Sequence, residues 1–360
     1  MDSSGSSSTN RPADDSASPA QRLDALRSRW QTLSGKVTLD ETASSLTETA
    51  SDVAGLADDI LAARRRGYVF HKEWEARATA LKKAWPEAQA QAQRAFDAKR
   101  RTLSNMARQT GQMVNRAAGN NAMLSSLEGN LDLLEKEIDA AGKAILSQVG
   151  AINQGISDIH WDLERVDYML GVVESGVVKL LPDEYGVAAC PANMMVGRKE
   201  KDEGVLLLTD RRLIFIHEEE KVLKKVLFFA TEKETVRALR WAAPIGAVDK
   251  LDAEDKGGFL GFGEKEMLTI DFDDRAKDLP KKAVMHLIEG TENEEWRTLI
   301  MQVKTGDIEK ERVKSAGKES AQPAAPTPTE CPNCGAKLPP VYKGMVRIEC
   351  EFCDAVVAIP

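Results

Sequence analysis

Apolar residues in this chain recur at two different periods, and the change from one to the other divides it. From 124 onward, Leu124, Leu131, Ile138, Ile145, Ile152, Ile159, Val166 and Val173 return every seven residues without a miss. Companions follow three places on at Leu127, Leu134 and Ala141, then four places on at Val149, Ile156, Leu163, Leu170 and Val177. A straight helix drifts about 20° per heptad, and moving the companion position recovers only about 50° of the accumulated turn. The stripe therefore winds gently, which predicts a left-handed coiled coil or a long bundle. Gly142, Gly150 and Gly155 cost about 1 kcal/mol each against alanine, so a break near 150 is expected. Residues 20–178 as a whole read as helical, rich in Ala, Gln, Leu and Glu, with Pro86 their only proline. A residue before proline is pushed off helical geometry, so a boundary is expected at Trp85, with Pro86 in the first turn of the next helix.

Near 180 the spacing shortens to that of strands. "GVAACPANMMV" predicts a first strand, and "GVLLLTDRRLIFIHEE" predicts strand, turn, strand with Thr209-Asp210-Arg211 at the turn. "IGAVDKLD", "EMLTIDF" and "AVMHLIEG" are further strand candidates, and "KGGFLGFGEKE" reads as a glycine-rich hairpin loop. "TENEEWRTLIMQVKTG" then predicts one helix. Thr291 and Glu294 have capping-box spacing, Trp296, Leu299, Ile300 and Val303 share a face, and Gly306 can end it. Strands followed by a helix with an inward Trp predict a β-barrel closed at one end.

These residues resemble PH-like and GRAM domains of bacteria. "GVLLLTDRRLIFI" looks like the second hairpin of such domains, where an "LTDxRLI" turn recurs, and the helix carrying Trp296 looks like their C-terminal capping helix. The likeness covers about 180–305 and implies a module that binds lipid headgroups or peptides without reaction chemistry. Headgroup-binding members carry a basic cluster between the first two strands. Here "GRKEKDEG" alternates Arg198, Lys199 and Lys201 with Glu200, Asp202 and Glu203, so the charges cancel and the likeness does not extend to that cluster.

The remaining segments are set apart by composition. Residues 1–19 are rich in Ser, Asp and Pro and are expected to be a disordered tail. Residues 306–329 turn charged and then Pro/Ala-rich, as a flexible linker would. Residues 330–360 end on "CPNCGAKLPPVYKGMVRIECEFCDAVVAIP". Cys331, Cys334, Cys350 and Cys353 follow Cys-x2-Cys-x15-Cys-x2-Cys, a spacing for tetrahedral zinc, and the stretch resembles zinc ribbons. Four thiolates leave no open position for water, so one structural Zn2+ is expected rather than a catalytic one. A unit of this size cannot build an adequate core, and the ion supplies much of its folding energy.

Charge changes the picture in one place. The net charge is −8, which disfavours global attraction to nucleic acid or anionic lipid. Yet residues 62–116 hold thirteen Lys/Arg against four Asp/Glu, between acidic neighbours. Such a segment, with Phe70, Trp74, Trp85 and Phe96 interleaved, can grip phosphates or a membrane surface through Arg64, Arg65, Arg66, Lys82 and Lys83. The plainer account is that it pairs with those neighbours inside one antiparallel bundle. In the ribbon, Lys337, Lys343 and Arg347 are balanced by Glu349, Glu351 and Asp354, which favours protein contact over nucleic acid.

Nothing in the sequence assembles an active site. His71, His160, His217 and His286 have no neighbours at metal-ligand spacing, and Cys190 reads as a small buried residue of the first strand. There is no Walker loop, Rossmann fingerprint or nucleophile elbow. The N-terminal residues have no apolar core segment of a signal peptide, and no apolar run reaches the roughly 20 residues of a membrane span. With four cysteines accounted for as ligands, a reducing cytoplasm is expected, the inner membrane face included. The reading is a multidomain α+β chain with an N-terminal coiled-coil bundle, a PH-like barrel and a zinc ribbon. It predicts a non-enzymatic scaffold or adaptor that binds protein partners and forms a homo-oligomer through its helices. Nucleic-acid binding through 62–116 and the ribbon, and peripheral lipid binding, are the alternatives.

Overall fold

A computed structural model describes residues 18–117, 120–197, 200–226, 229–257, 265–276, 278–288, 290–313 and 328–359. The tail expected before residue 18, Arg198 and Lys199, most of the glycine-rich loop, and residues 314–327 of the linker lie outside the described residues. Among those described, five helices come first: α1 (Pro19–Lys36), α2 (Asp40–Arg65), α3 (Trp74–Arg116), α4 (Asn121–Leu146) and α5 (Gly150–Glu174). Strands β1 (Gly186–Met195), β2 (Lys201–Thr209), β3 (Arg212–Val226), β4 (Phe229–Pro244), β5 (Val248–Lys256), β6 (Lys265–Phe272) and β7 (Lys282–Leu287) follow. Helix α6 (Asn293–Thr305) and the short strands β8 (Arg347–Glu349) and β9 (Val356–Ala358) complete the order.

The chain groups into two compact units. One holds residues up to Leu56 with Ala78–Ser157, and the other holds Ala57–Arg77 with residues from Asp158 onward. This grouping cuts across the boundary expected at 178, because the ends of three helices belong with the sheet.

In the first unit the heptad stripe is spent on the chain's own helices. Leu124, Leu127, Leu131, Leu134, Ile145 and Val149 are fully buried in a core shared with Leu33 of α1 and Phe96 and Leu103 of α3. The helices fold back as a bundle rather than extend as a rod. Close approach explains two of their glycines. A Cβ on Gly111 would come within 2.9 Å of the Trp30 indole, and one on Gly155 within 2.8 Å of Leu81. The break expected near 150 is a single 3-10 turn, Ser147–Val149.

Pro86 does not end a helix: it lies inside α3, which runs without interruption from Trp74 to Arg116. Proline removes the donor to the carbonyl four residues back, that of Lys82, and both residues are exposed, where water can serve the carbonyl. Trp85 and Ala88, on the other face, are packed on the core and hold the helix through the defect.

In the second unit seven antiparallel strands form one sheet in the order β4-β3-β2-β1-β7-β6-β5. Val205 to Leu208 and Leu213 to Ile216 are completely buried, so both faces of these central strands are covered. The single-helix cap is as expected: Trp296, Ile300 and Val303 of α6 are buried, and Gly306 closes the helix at φ 90°. Its start differs. Glu292 is the N-cap without a side-chain bond, and Asn293 instead anchors the first turn, its N–H donating to Glu266 and its side-chain amide to Asp255.

The expected barrel is not closed. Strands β4 and β5 are consecutive yet occupy opposite edges, with no ladder between them among the described residues. Pro244 ends β4, and a 3-10 turn, Ile245–Ala247, carries the chain round the corner. The backbone groups there find other partners: Ile245 N–H donates to Arg211 O at 2.8 Å and Gly246 N–H to Lys343 O at 3.0 Å. The corner is filled by the C-terminal module rather than by strand pairing.

Candidate metal centre

Two tight turns build the site. In the first, Gly335 N–H donates to Cys331 O and Cys331 N–H to Ala336 O, each at 2.8 Å. In the second, Asp354 N–H donates to Cys350 O and Cys350 N–H to Ala355 O, each at 3.0 Å. The two knuckles are the same device at the same offset. Each needs a left-handed residue at its fifth place, supplied by Gly335 at φ 73° and by Asp354 at φ 55°. Strands β8 and β9 pair Ile348 with Val357, both buried, and bring the second knuckle back to the first.

The four sulfurs lie within 4.8 Å of one another. Cys331 Sγ is 3.7 Å from Cys353 Sγ, and Cys334 Sγ is 3.6 Å from Cys350 Sγ. A disulfide needs about 2.05 Å, whereas ligands at about 2.3 Å from a tetrahedral ion stand about 3.8 Å apart. The quartet therefore fits one metal ion, and Cys331, Cys334, Cys350 and Cys353 are the residues that would hold it. The surrounding donors suit thiolates. Asn333 Nδ2 donates to Cys353 Sγ at 3.5 Å, and with the Ala355 N–H it brings that thiol down to about 6. At Cys334 the N–H of Ala336 acts in the same direction, but the sulfurs of Cys353, Cys350 and Cys331 outweigh it and push the thiol up to about 12. Thiolates this close repel one another, and a divalent cation removes that repulsion.

The ribbon is seated on the sheet, which its sequence gave no reason to expect. Lys343 Nζ donates to the carbonyls of Val303 at 2.6 Å and Lys304 at 3.0 Å, capping the C-terminal end of α6. A cation there answers the helix dipole and adds to the Gly306 N–H that already reaches the Val303 carbonyl at 3.2 Å. Contact is close enough to require glycine on both sides: a Cβ on Gly246 would lie 2.5 Å from Lys343 N, and one on Gly344, at φ 95°, would overlap Arg211 O. The linker expected from 306 also begins later, since Asp307–Glu311 is a 3-10 helix. Beyond it, Val313 N–H donates to Val69 O at 2.8 Å, and the Arg312 guanidinium lies over Phe70 and Tyr185 while pairing with Asp210 at 2.7 Å.

The other sequence candidates are scattered. His71 stacks on Trp74 at 4.7 Å, His160 faces Asp59 at 3.6 Å, and His217 bonds Asp202. His286 has its pKa lowered by burial and by Lys265 and Lys201. Cys190 is buried, and burial raises its pKa far above the usual thiol range. At the start of β2, Lys201 pairs with Glu203 at 2.6 Å and Asp202 with Arg240 at 3.2 Å, so these three charges of the predicted loop are paired. A cleft of about 150 Å³ is lined by Tyr68, His71, Asp162, Arg165 and Glu295. No helix of the described residues is long and apolar enough to cross a membrane.

The basic segment splits in two. Arg64 pairs with Glu75 at 2.8 Å and lies over the Trp74 ring, Arg66 pairs with Glu174 at 2.8 Å and with Asp167, and Arg77 meets Asp158 at 3.4 Å. Arg64 meets a glutamate of the basic segment itself, while Arg66 and Arg77 follow the plainer account of pairing with acidic neighbours. Residues 82–116 do not: the interhelical ion pairs of the bundle, Arg22–Glu128 and Arg29–Asp132, join α1 to α4 instead.

No family model and no curated protein matches the chain. Among solved structures it is similar to the hSac2 domain from human phosphoinositide phosphatase Sac2, at 9% identity and a TM-score of 0.25, covering 44% of this chain and 95% of that one. It is also similar to the DH/PH domains of p115-RhoGEF, at 12% identity and a TM-score of 0.22, over 82% of this chain and 95% of that one. The DH/PH domains of PDZ-RhoGEF in complex with activated RhoA give 10% identity and 0.25, over 78% and 93%. At TM-scores this low the likenesses carry no argument.

Proposed function

We propose that the chain is a non-enzymatic adaptor: a PH-like sheet, read from its seven antiparallel strands and single C-terminal helix, bearing a zinc-clipped ribbon that docks a protein partner. The observation that carries this reading is the pairing of a closed site with an open surface. Four thiolates complete the coordination shell of one Zn2+ and leave no position for substrate. On the same module Phe352 is 74% and Val356 64% exposed, the largest values for bulky apolar residues among those described. Exposed apolar side chains on a rigid support, ringed by Glu349, Glu351 and Asp354, suit a protein contact. Free thiols in such a site suit a reducing cytoplasm. The homo-oligomer expected from the heptad stripe would have to use another surface over residues 124–159, where that stripe is buried within the chain, while Leu163, Val173 and Val177 are half-buried.

Metal analysis of the purified chain should return one zinc per molecule. Cross-linking in native cytosol should then yield partners that F352A/V356A loses while retaining its zinc. Recovery of the same partners by that variant would overturn the docking role, and a metal-free native protein would overturn the ribbon.

A further inference from the structure

The solvent face of α3 carries a line of cations with no evident structural employment. Between Ala78 and Arg116 this helix holds eight Lys/Arg against two Asp/Glu. At 100° per residue, Lys83, Arg94, Arg101 and Arg108 fall within about 40° of one another. All four are exposed, on the side opposite Ala92, Phe96, Leu103 and Val114, which are buried. None of the four has a carboxylate partner among the described residues; Arg108 donates to Asn105 on its own helix. The line from Lys83 to Arg108 is about 37 Å long at 1.5 Å per residue. Lys82, Arg100 and Arg116, also exposed, widen it to a belt; of the two acids on it, Asp97 is engaged by Arg100 at 3.8 Å and Glu87 accepts from Gln91 Nε2 at 3.3 Å.

Like charges in a row cost stability, so a face of this kind is set up for an anion longer than a single phosphate. Three such partners differ in what else they ask for. A membrane-lying helix inserts an apolar face into the acyl boundary, but the apolar face of α3 is consumed by the bundle core. A single strand stacks its bases on aromatic rings, but Phe96 is buried and Trp85 is packed against the same core. A duplex asks only for cations and hydrogen-bond donors spaced along its backbone, and arginine suits phosphate by its planar fork. Asn105 and Gln112, exposed on the same belt, add amide donors. The deep, narrow A-form groove excludes a helix, whereas the B-form major groove admits one.

We propose that this face of α3 binds the phosphate backbone of double-stranded DNA without reading its sequence. Arg64, Arg66 and Arg77, engaged with carboxylates, take no part.

The test is fluorescence anisotropy of the full-length chain with a 24-base-pair random-sequence DNA duplex across a salt series. Four neutralised phosphates predict a log–log slope near −3.6, a loss of about 150-fold in affinity between 50 and 200 mM salt. The variant K83Q/R94Q/R101Q/R108Q should lose binding and keep the wild-type helical circular dichroism, because all four side chains are exposed. Its counterpart R94K/R101K/R108K, which keeps charge, should retain most of the binding. Binding of the duplex that is insensitive to salt, or unchanged in the glutamine variant, overturns the proposal. So does equal affinity for an A-form RNA duplex of the same length, or retention only on phosphatidylcholine/phosphatidylserine 3:1 vesicles.

Discussion

At the scale of single residues, the turn Thr209-Asp210-Arg211-Arg212 shows what a recognisable string does physically. Thr209 Oγ1 accepts the N–H of Arg212 at 2.8 Å and donates to Glu184 Oε1 at 2.6 Å. Arg212 clasps both oxygens of Glu184, at 2.8 and 2.6 Å, and Glu184 also accepts the N–H of Leu181 at 2.6 Å. Asp210 accepts the N–H of Tyr185 at 3.0 Å, and burial raises its pKa against the pull of that bond and of Arg312. The string thus ties the second hairpin to the segment entering the first strand, and the side chains of Thr209, Asp210 and Arg212 are all spent on structure. Because the Glu184 side chain is 0% exposed, removing its partner strands a buried charge. Arg212→Leu should cost about 3–5 kcal/mol in urea unfolding, and E184L/R212L should recover part of that loss. The turn was legible as a turn, but the role of Glu184 was not, since two adjacent acids in "LLPDEYG" give no sign of which one will meet the arginine.

At the scale of elements, legibility followed how much of the packing is local. The heptads of α4 and α5 announce themselves because one helix presents the whole stripe, and the strands from Val205 to Ile216 because they are apolar on both faces. Strand β4 went unseen. "FATEKETVRALRWAAP" is charged and alanine-rich, and it needs no apolar alternation because it is an edge strand bonded only to β3. Helix α3 was cut at Pro86 for the opposite reason: a local rule was overridden by the burial of its far face. Glycines make the same contrast measurable. Gly129, inside α4, has open space where a Cβ would sit, whereas Gly111 faces the Trp30 ring. Gly129→Ala should raise stability by up to about 1 kcal/mol from helix propensity alone. Gly111→Ala gains the same propensity but must move Trp30, and it should lower the melting temperature. Equal shifts in both variants would mean that α1 and α3 pack less closely than described.

At the scale of the whole molecule, the four cysteines that would hold a metal ion were plain from spacing, because each Cys-x2-Cys pair closes within one tight turn. The seat of the module was not plain. Lys343 and Gly344 look like ordinary hairpin residues, yet Lys343 answers carbonyls of a helix some forty residues earlier and Gly344 lies against Arg211 O. Their contacts would couple a bound ion to the sheet corner: the ion would hold the two knuckles together, and the Gly246 amide and the end of α6 meet the module that the knuckles close. Removing the metal with a thiol-selective chelator should therefore speed amide exchange not only in 331–359 but also at 245–247 and 303–306. Faster exchange confined to the ribbon would mean that its seat persists without the ion.

The Lys343 cap bears on how the chain can be divided. A fragment stopped at residue 313 would keep every strand of the large sheet yet take away the Lys343 ammonium from the end of α6 and the Lys343 carbonyl from the Gly246 amide. Shortening the polypeptide there would remove a keystone rather than an appendage. A boundary for expression that respects the molecule runs through to its final residues.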